Sequence, residues 1–186
     1  MNTVYGHFLS KVMGWKITGD FPDFPKSVII FAPHTSYWDG LIGKLYLKEI
    51  GVNHKFLSKE SLFVFPLNVL MRWYGSIPVK KTDKYIFQVS DMFDSFNELH
   101  IILSPEGTRK KNTVWKRGFY YIARRGNVPI IIGYLDYSKK QIGVLDVIYE
   151  FKNIDETMSH ISQLYKNIHG KYDDKFDIDK TLKHSK

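Results

Sequence analysis

Residues 25–51 read PKSVIIFAPHTSYWDGLIGKLYLKEIG, a strand, a polar loop and a helix in succession. Val28 to Ala32 form a short apolar run bounded by Pro25 and Pro33, the mark of a buried strand. His34, Thr35 and Ser36 then interrupt the apolar pattern, and residues 39–50 carry a helical pattern that ends at Gly51. Strands that alternate with helices in this way build α/β domains around a central sheet.

The alternation continues outward from this unit. His54 to Ser58, Ser76 to Val79 and His100 to Leu103 read as strands, the last ended by Pro105. Val128 to Tyr134 and Gln141 to Tyr149 bracket Ser138-Lys139-Lys140 and resemble a strand pair. Helical spacing recurs over 84–98 and from Lys116 to Arg125, and Asp155 is placed to cap a last helix. Towards the N-terminus, Val4, Tyr5, Phe8, Leu9, Val12 and Met13 predict an amphipathic helix over residues 3–14, suited to a membrane interface or to covering the core. The fold class predicted is therefore α/β: a single domain over 1–186 with a mixed central sheet flanked by helices. A core over about 15–150 precedes a last helix and a loose polar tail over 155–186.

Composition narrows the function. The net charge of +8 and pI near 9.4 attract nucleic acid, anionic head groups or phosphorylated small molecules. With no cysteine, disulfides, thiolate metal sites and cysteine nucleophiles are excluded. Aromatic residues make up 16% of the chain, enough for a rich core or a body resting at a lipid interface. No stretch approaches about 18 uninterrupted apolar residues, although 61–74 is apolar almost all round, and the first residues lack the pattern of a signal peptide. Any membrane contact is expected to be peripheral.

Four segments could carry chemistry. His34 and Asp39 stand in H-x-x-x-x-D spacing on the loop after a strand. A neutral imidazole can accept a hydroxyl proton near neutral pH, and a carboxylate on its other nitrogen would fix the tautomer. Ser36 and Asp39 equally fit a helix capping pattern, so both readings stand. SPEGTR, residues 104–109, follows a strand; Gly107 permits close backbone approach and Arg109 offers a planar fork for phosphate, while Glu106 could hold Arg109 or accept a bond from a ligand. The plain alternative is a polar turn with a solvated arginine. GSIPVKK, residues 75–81, ends in Lys81, a point charge for phosphate or half of a solvated pair. Val128-Pro129-Ile130 can shape a pocket wall.

Taken in order, PHTSYWD, GSIPVKK, SPEGTR and VPIIIG resemble the four blocks of the 1-acylglycerol-3-phosphate acyltransferase family, and WKRGF at 115–119 looks like the family's basic segment between the last two. The resemblance runs from about residue 15 to 150. It implies transfer of an acyl chain from acyl-CoA or acyl carrier protein to the free hydroxyl of a lysophospholipid, most simply 1-acylglycerol-3-phosphate to give phosphatidic acid. His34 would be the general base and Asp39 its support. Glu106, Gly107, Thr108 and Arg109, with Lys81 and Ser36, would bind the acceptor. No metal or cofactor is implied. The expected partners are the lysophospholipid, the thioester donor and an anionic membrane surface, with no nucleic acid, and the expected place is the cytoplasmic face of a membrane.

Three positions depart from the family pattern: Lys81 for Arg, Ser104 for an aromatic residue and Ile132 for Pro. They leave room for a zwitterionic or amino-acid-headed acceptor such as a lyso-ornithine lipid. A basic membrane- or nucleic-acid-binding module without chemistry would explain the charge and the aromatics but not the four ordered blocks.

Overall fold

The apolar run over 28–32 lies in the central strand of the sheet. In the computed structural model, which describes residues 4–80, 82 and 84–181, that strand spans Lys26–Ala32 and is β2. The others are β1 (Lys16–Thr18), β3 (His54–Lys59), β4 (Ser76–Val79), β5 (Leu99–Leu103), β6 (Ile130–Asp136) and β7 (Gln141–Ile148). They form one seven-stranded sheet in the order β1-β7-β6-β2-β5-β3-β4. From β6 to β4 all neighbours are parallel, β7 runs antiparallel to β6, and β1 is parallel to β7, so the sheet is mixed as expected.

Both faces of β2 are covered, which is why its sequence is continuously apolar rather than alternating. Val28, Ile30 and Ala32 face a core with α5 (Gly118–Arg125) and α6 (Ile154–Leu164), through Phe119, Ile122, Met158 and Ile161. Ile29 faces a second core with α2 (Tyr37–Glu49), through Ile42, Tyr46 and Leu47. The chain thus leaves β2 over one face and leaves β5 over the other. Their carboxyl ends lie side by side at the point where the winding reverses, the place where open α/β sheets leave a crevice.

Several elements depart from expectation. The helix expected over 84–98 is α4 (Tyr85–Ser90), followed by a 3-10 turn over Asp91–Ser95. There the Ser90 hydroxyl donates to the Phe87 carbonyl, the local competition by which serine and aspartate end helices. The cap of α6 is Asn153, whose side chain accepts the Asp155 N–H at 2.7 Å; Asp155 sits in the first turn instead, where the helix dipole favours it. Strand β1 was not anticipated, because three residues carry too little pattern.

The N-terminal helix is α1 (Val4–His7), continued by one π-helical turn over Phe8–Val12. It serves the core through fully buried Leu9 and is pinned to α2 by Glu49, which accepts the Gly6 N–H at 2.7 Å. Val4, Phe8 and Val12 remain exposed along its outer side. The segment over 61–74 holds α3 (Leu67–Tyr74), with Phe65, Val69, Leu70 and Trp73 exposed. Among the described residues no helix is long and apolar enough to cross a membrane.

The tail from Gly170 is not loose over the described residues. The Trp115 N–H donates to Asp179 at 3.2 Å and its indole N–H to the Asp177 carbonyl at 3.1 Å, while its ring lies 5.6 Å from that of Tyr165 and 6.2 Å from that of Phe176. A polar tail is thereby held because a buried indole needs its acceptors. Trp115→Ala should cost about 3–5 kcal/mol in urea unfolding and should open the chain beyond Gly170 to limited proteolysis, read by mass spectrometry of the first fragments.

Candidate active site

Three neighbouring parallel strands, β6, β2 and β5, end at the same side of the sheet. Each is followed by a polar residue of the site: Tyr137 after β6, His34 after β2 and Glu106 after β5. The loop from Pro33 to Ser36 turns directly into α2. Ser36 is the cap, its hydroxyl accepting the Trp38 N–H at 3.2 Å.

Asp39 lies in the first turn of α2 with its side chain only 3% exposed. Its Oδ2 accepts the N–H groups of Thr35 and Ser36, each at 2.7 Å, and faces His34 Nδ1 at 3.4 Å. Its Oδ1 accepts the Tyr137 hydroxyl at 2.6 Å. The capping pattern and the histidine–carboxylate pair are therefore one arrangement: the same oxygen closes the helix and faces the imidazole. The His34 side chain is 28% exposed, so with Nδ1 turned to Asp39 the other side of the ring reaches solvent. An imidazole held this way can take a proton from a hydroxyl while the carboxylate stabilises the cation that forms.

Glu106 is turned inward and is 2% exposed. Its Oε2 accepts the His34 backbone N–H at 2.8 Å and the Ser104 hydroxyl at 3.2 Å. Burial pushes its carboxyl up to about 8, the two bonds offsetting part of this and the nearby Asp39 adding to it. The two carboxyl groups thus sit differently, Asp39 among three donors with the imidazole opposite and Glu106 with two donors in a place whose burial favours its protonated form. Tyr137 is also held above its ordinary range, first by burial and then by its bond to Asp39, so it stays a neutral donor.

Arg109 does not pair with Glu106. Its guanidinium lies 3.6 Å from the centre of the exposed Tyr37 ring, and no acceptor among the described residues engages it. Gly107 turns the loop with φ 67°, and a Cβ there would meet Lys116 Cγ at 2.9 Å. The Thr108 hydroxyl accepts the Lys110 N–H at 3.2 Å and shapes the same turn. Asn112 fastens the loop by donating to the Glu106 carbonyl at 2.8 Å.

His34, Ser36, Asp39, Glu106 and Arg109 are thus on two adjacent loops. Lys81 lies outside the described residues; β4, which precedes it, is the edge strand, three strands away from β2. Three neighbours of the site escaped the sequence reading. Tyr137 and Thr35 carry no pattern of their own, and Thr35 accepts the Tyr172 N–H at 3.3 Å. Lys171 places its ammonium 5.0 Å from the Trp38 ring and belongs to a tail with no motif.

The proton on Glu106 has a measurable consequence. A glutamate whose folded pKa exceeds its unfolded value holds its proton more tightly when folded, so this contribution is complete below about 4.5 and is lost as pH rises through about 8. Glu106→Gln keeps an acceptor for the His34 N–H and has no proton to lose. Its stability relative to the unmodified protein should rise across that window, by up to about 1.4 kcal/mol per pH unit. Urea titrations at pH values of about 5, 6.5 and 8 check this.

Known proteins agree with this architecture. The family model described as Acyltransferase matches residues 18–132. The chloroplastic 1-acyl-sn-glycerol-3-phosphate acyltransferase BAT2 of Brassica napus is 27% identical in an alignment of 139 residues that covers 69% of this chain. The chain spans 38% of the length of that relative. The crystal structure of the 1-acyl-sn-glycerophosphate acyltransferase PlsC from Thermotoga maritima superposes with a TM-score of 0.61 at 17% identity, over 81% of this chain and 68% of that one, and so shares the fold. With the His34 and Glu106 loops and most of the sheet inside the family match, the chain belongs to the acyltransferase family.

Proposed function

We propose that this protein transfers a fatty acyl chain from acyl-CoA or acyl carrier protein to the free hydroxyl of a lysophospholipid, with 1-acylglycerol-3-phosphate the preferred acceptor. The observation that carries this reading is His34, backed by Asp39 and open to solvent, with a guanidinium on the adjoining loop that rests on the Tyr37 ring and has no acceptor among the described residues. His34 accepts the acceptor's hydroxyl proton as that oxygen attacks the thioester carbonyl. The C–S bond then breaks, and the departing thiolate takes the proton from the imidazolium. Asp39 orients the ring and stabilises its cation. Arg109 binds the acceptor's phosphate with its planar fork. No cofactor or metal takes part in this scheme.

The acceptor is a membrane lipid, and the exposed surface supports docking on the cytoplasmic face of an anionic bilayer without spanning it. The outer side of α1 and the exposed side of α3 both adjoin α2, which carries the site: Glu49 ties α1 to it, and Lys44 donates to the carbonyls of Trp73 and Tyr74 at 3.1 and 2.9 Å. Apolar residues on those two helices would enter the interface while the net charge of +8 draws the protein to acidic lipid.

Purified protein with radiolabelled thioesters and a lysolipid panel tests the reaction. His34→Ala should lower turnover by about 10²–10⁴ with an unchanged melting curve, and near-normal turnover would exclude the mechanism. Unmodified enzyme should prefer lysophosphatidate to its dephosphorylated analogue, and Arg109→Ala should erase about ten- to a hundredfold of kcat/KM for the former alone. Equal use of both acceptors would instead favour a non-phosphate lysolipid. In vesicle flotation, binding should increase with the fraction of phosphatidylserine and weaken as salt rises, because surface charge is screened.

A further inference from the structure

Asp39 is held at both carboxylate oxygens, and the two holds differ in kind. On Oδ2 the donors are the N–H groups of Thr35 and Ser36, backbone of the same turn that any capped helix would supply. On Oδ1 the one donor among the described residues is the Tyr137 hydroxyl, which comes from the turn after β6, 98 residues along the chain. Capping the helix needs only Oδ2, so the cap leaves the second hold unexplained.

Tyr137 is itself fixed. Its ring meets Trp15 edge-on at 4.9 Å and 88°, and its N–H donates to the His169 carbonyl at 2.9 Å. A phenol anchored on its ring and its backbone presents its hydroxyl from a constant direction. The terminal torsion of an aspartate is broad, so a carboxylate held at one oxygen can swing its plane. Held at both oxygens it cannot, and Oδ2 stays aimed at His34 Nδ1.

We infer that Tyr137 is a positioning residue of the acyl transfer, acting through Asp39 to keep the His34 ring in its reactive orientation. Its hydroxyl is taken up by Asp39, so the role assigned is positioning rather than contact with a substrate. The inference deepens the reading given above and adds a residue beyond the matched segment 18–132. The other charged or titratable groups around the pair are Glu106, which accepts the His34 N–H, Tyr172 beside Tyr137, and Lys171 and Arg109 over the first turn of α2. None of them contacts the Asp39 carboxylate.

Tyr137→Phe keeps the ring against Trp15 and removes the hydroxyl alone. With the unmodified enzyme as reference, kcat should fall about tenfold while KM for donor and acceptor stays within about twofold. On an Asp39→Asn background the same substitution should add less than about twofold, since both changes act on one interaction. A readout independent of turnover is the His34 imidazole, titrated by NMR in the full chain. Once the carboxylate can turn away, the imidazolium loses part of its support, and the midpoint should fall by about half a unit or more. A midpoint that stays put or rises, or kinetic effects that multiply across the two substitutions, would overturn the role assigned to Tyr137. If the unmodified protein transfers no acyl group to any lysolipid, the proposed reaction fails, and the NMR titration still decides whether Tyr137 holds the pair.

Discussion

A carboxylate taken out of water has to be given donors, and the Asp39 carboxylate sets that requirement at the busiest point of this fold. It finds two on the loop after β2, one on the residue after β6, and the imidazole opposite. Satisfying it obliges the loop to turn at Ser36, starts α2 there, and draws the end of β6 alongside. The same contacts that make the burial tolerable aim His34 outward. Stability and the candidate chemistry thus rest on one side chain.

Glu106 is the counterpart that shows how environment separates two like groups. It takes the backbone N–H of His34 while Asp39 faces the ring, so the residue is held at both its main chain and its side chain. With fewer donors and deep burial, Glu106 favours its protonated form. Just outside, Arg109 and Lys171 rest on Tyr37 and Trp38, consecutive residues at the start of α2. Cations parked on aromatic faces keep their charge and stay available to an anion.

Much of this was legible in the chain. Apolar runs between prolines and glycines marked most of the strands, the period of 3.6 marked the helices around them, and the switch between the two periods predicted an α/β sheet. The cap at Ser36 and the pair of His34 with Asp39 were also readable, because four or five residues of one turn are close in space wherever that turn lies. Local competition blurred the ends: the Ser90 hydroxyl bonds the Phe87 carbonyl where α4 stops, and Asn153 takes the cap expected of Asp155.

What the sequence could not determine is which distant residues share the site. Glu106 looked like a partner for Arg109, its neighbour in SPEGTR, yet it turns inward to His34 across 72 residues of chain. Tyr137 carries no motif, and the polar composition of the tail from Gly170 gives no sign that Trp115 and Thr35 hold it. Propensity and periodicity are properties of a few neighbouring residues, so the chain alone determines where strands, turns and caps fall. The order β6-β2-β5, set by how two cores close on opposite faces of one sheet, decides which turns end side by side. Only that order brings a tyrosine, a histidine and a glutamate from three separate turns to the same end of the sheet.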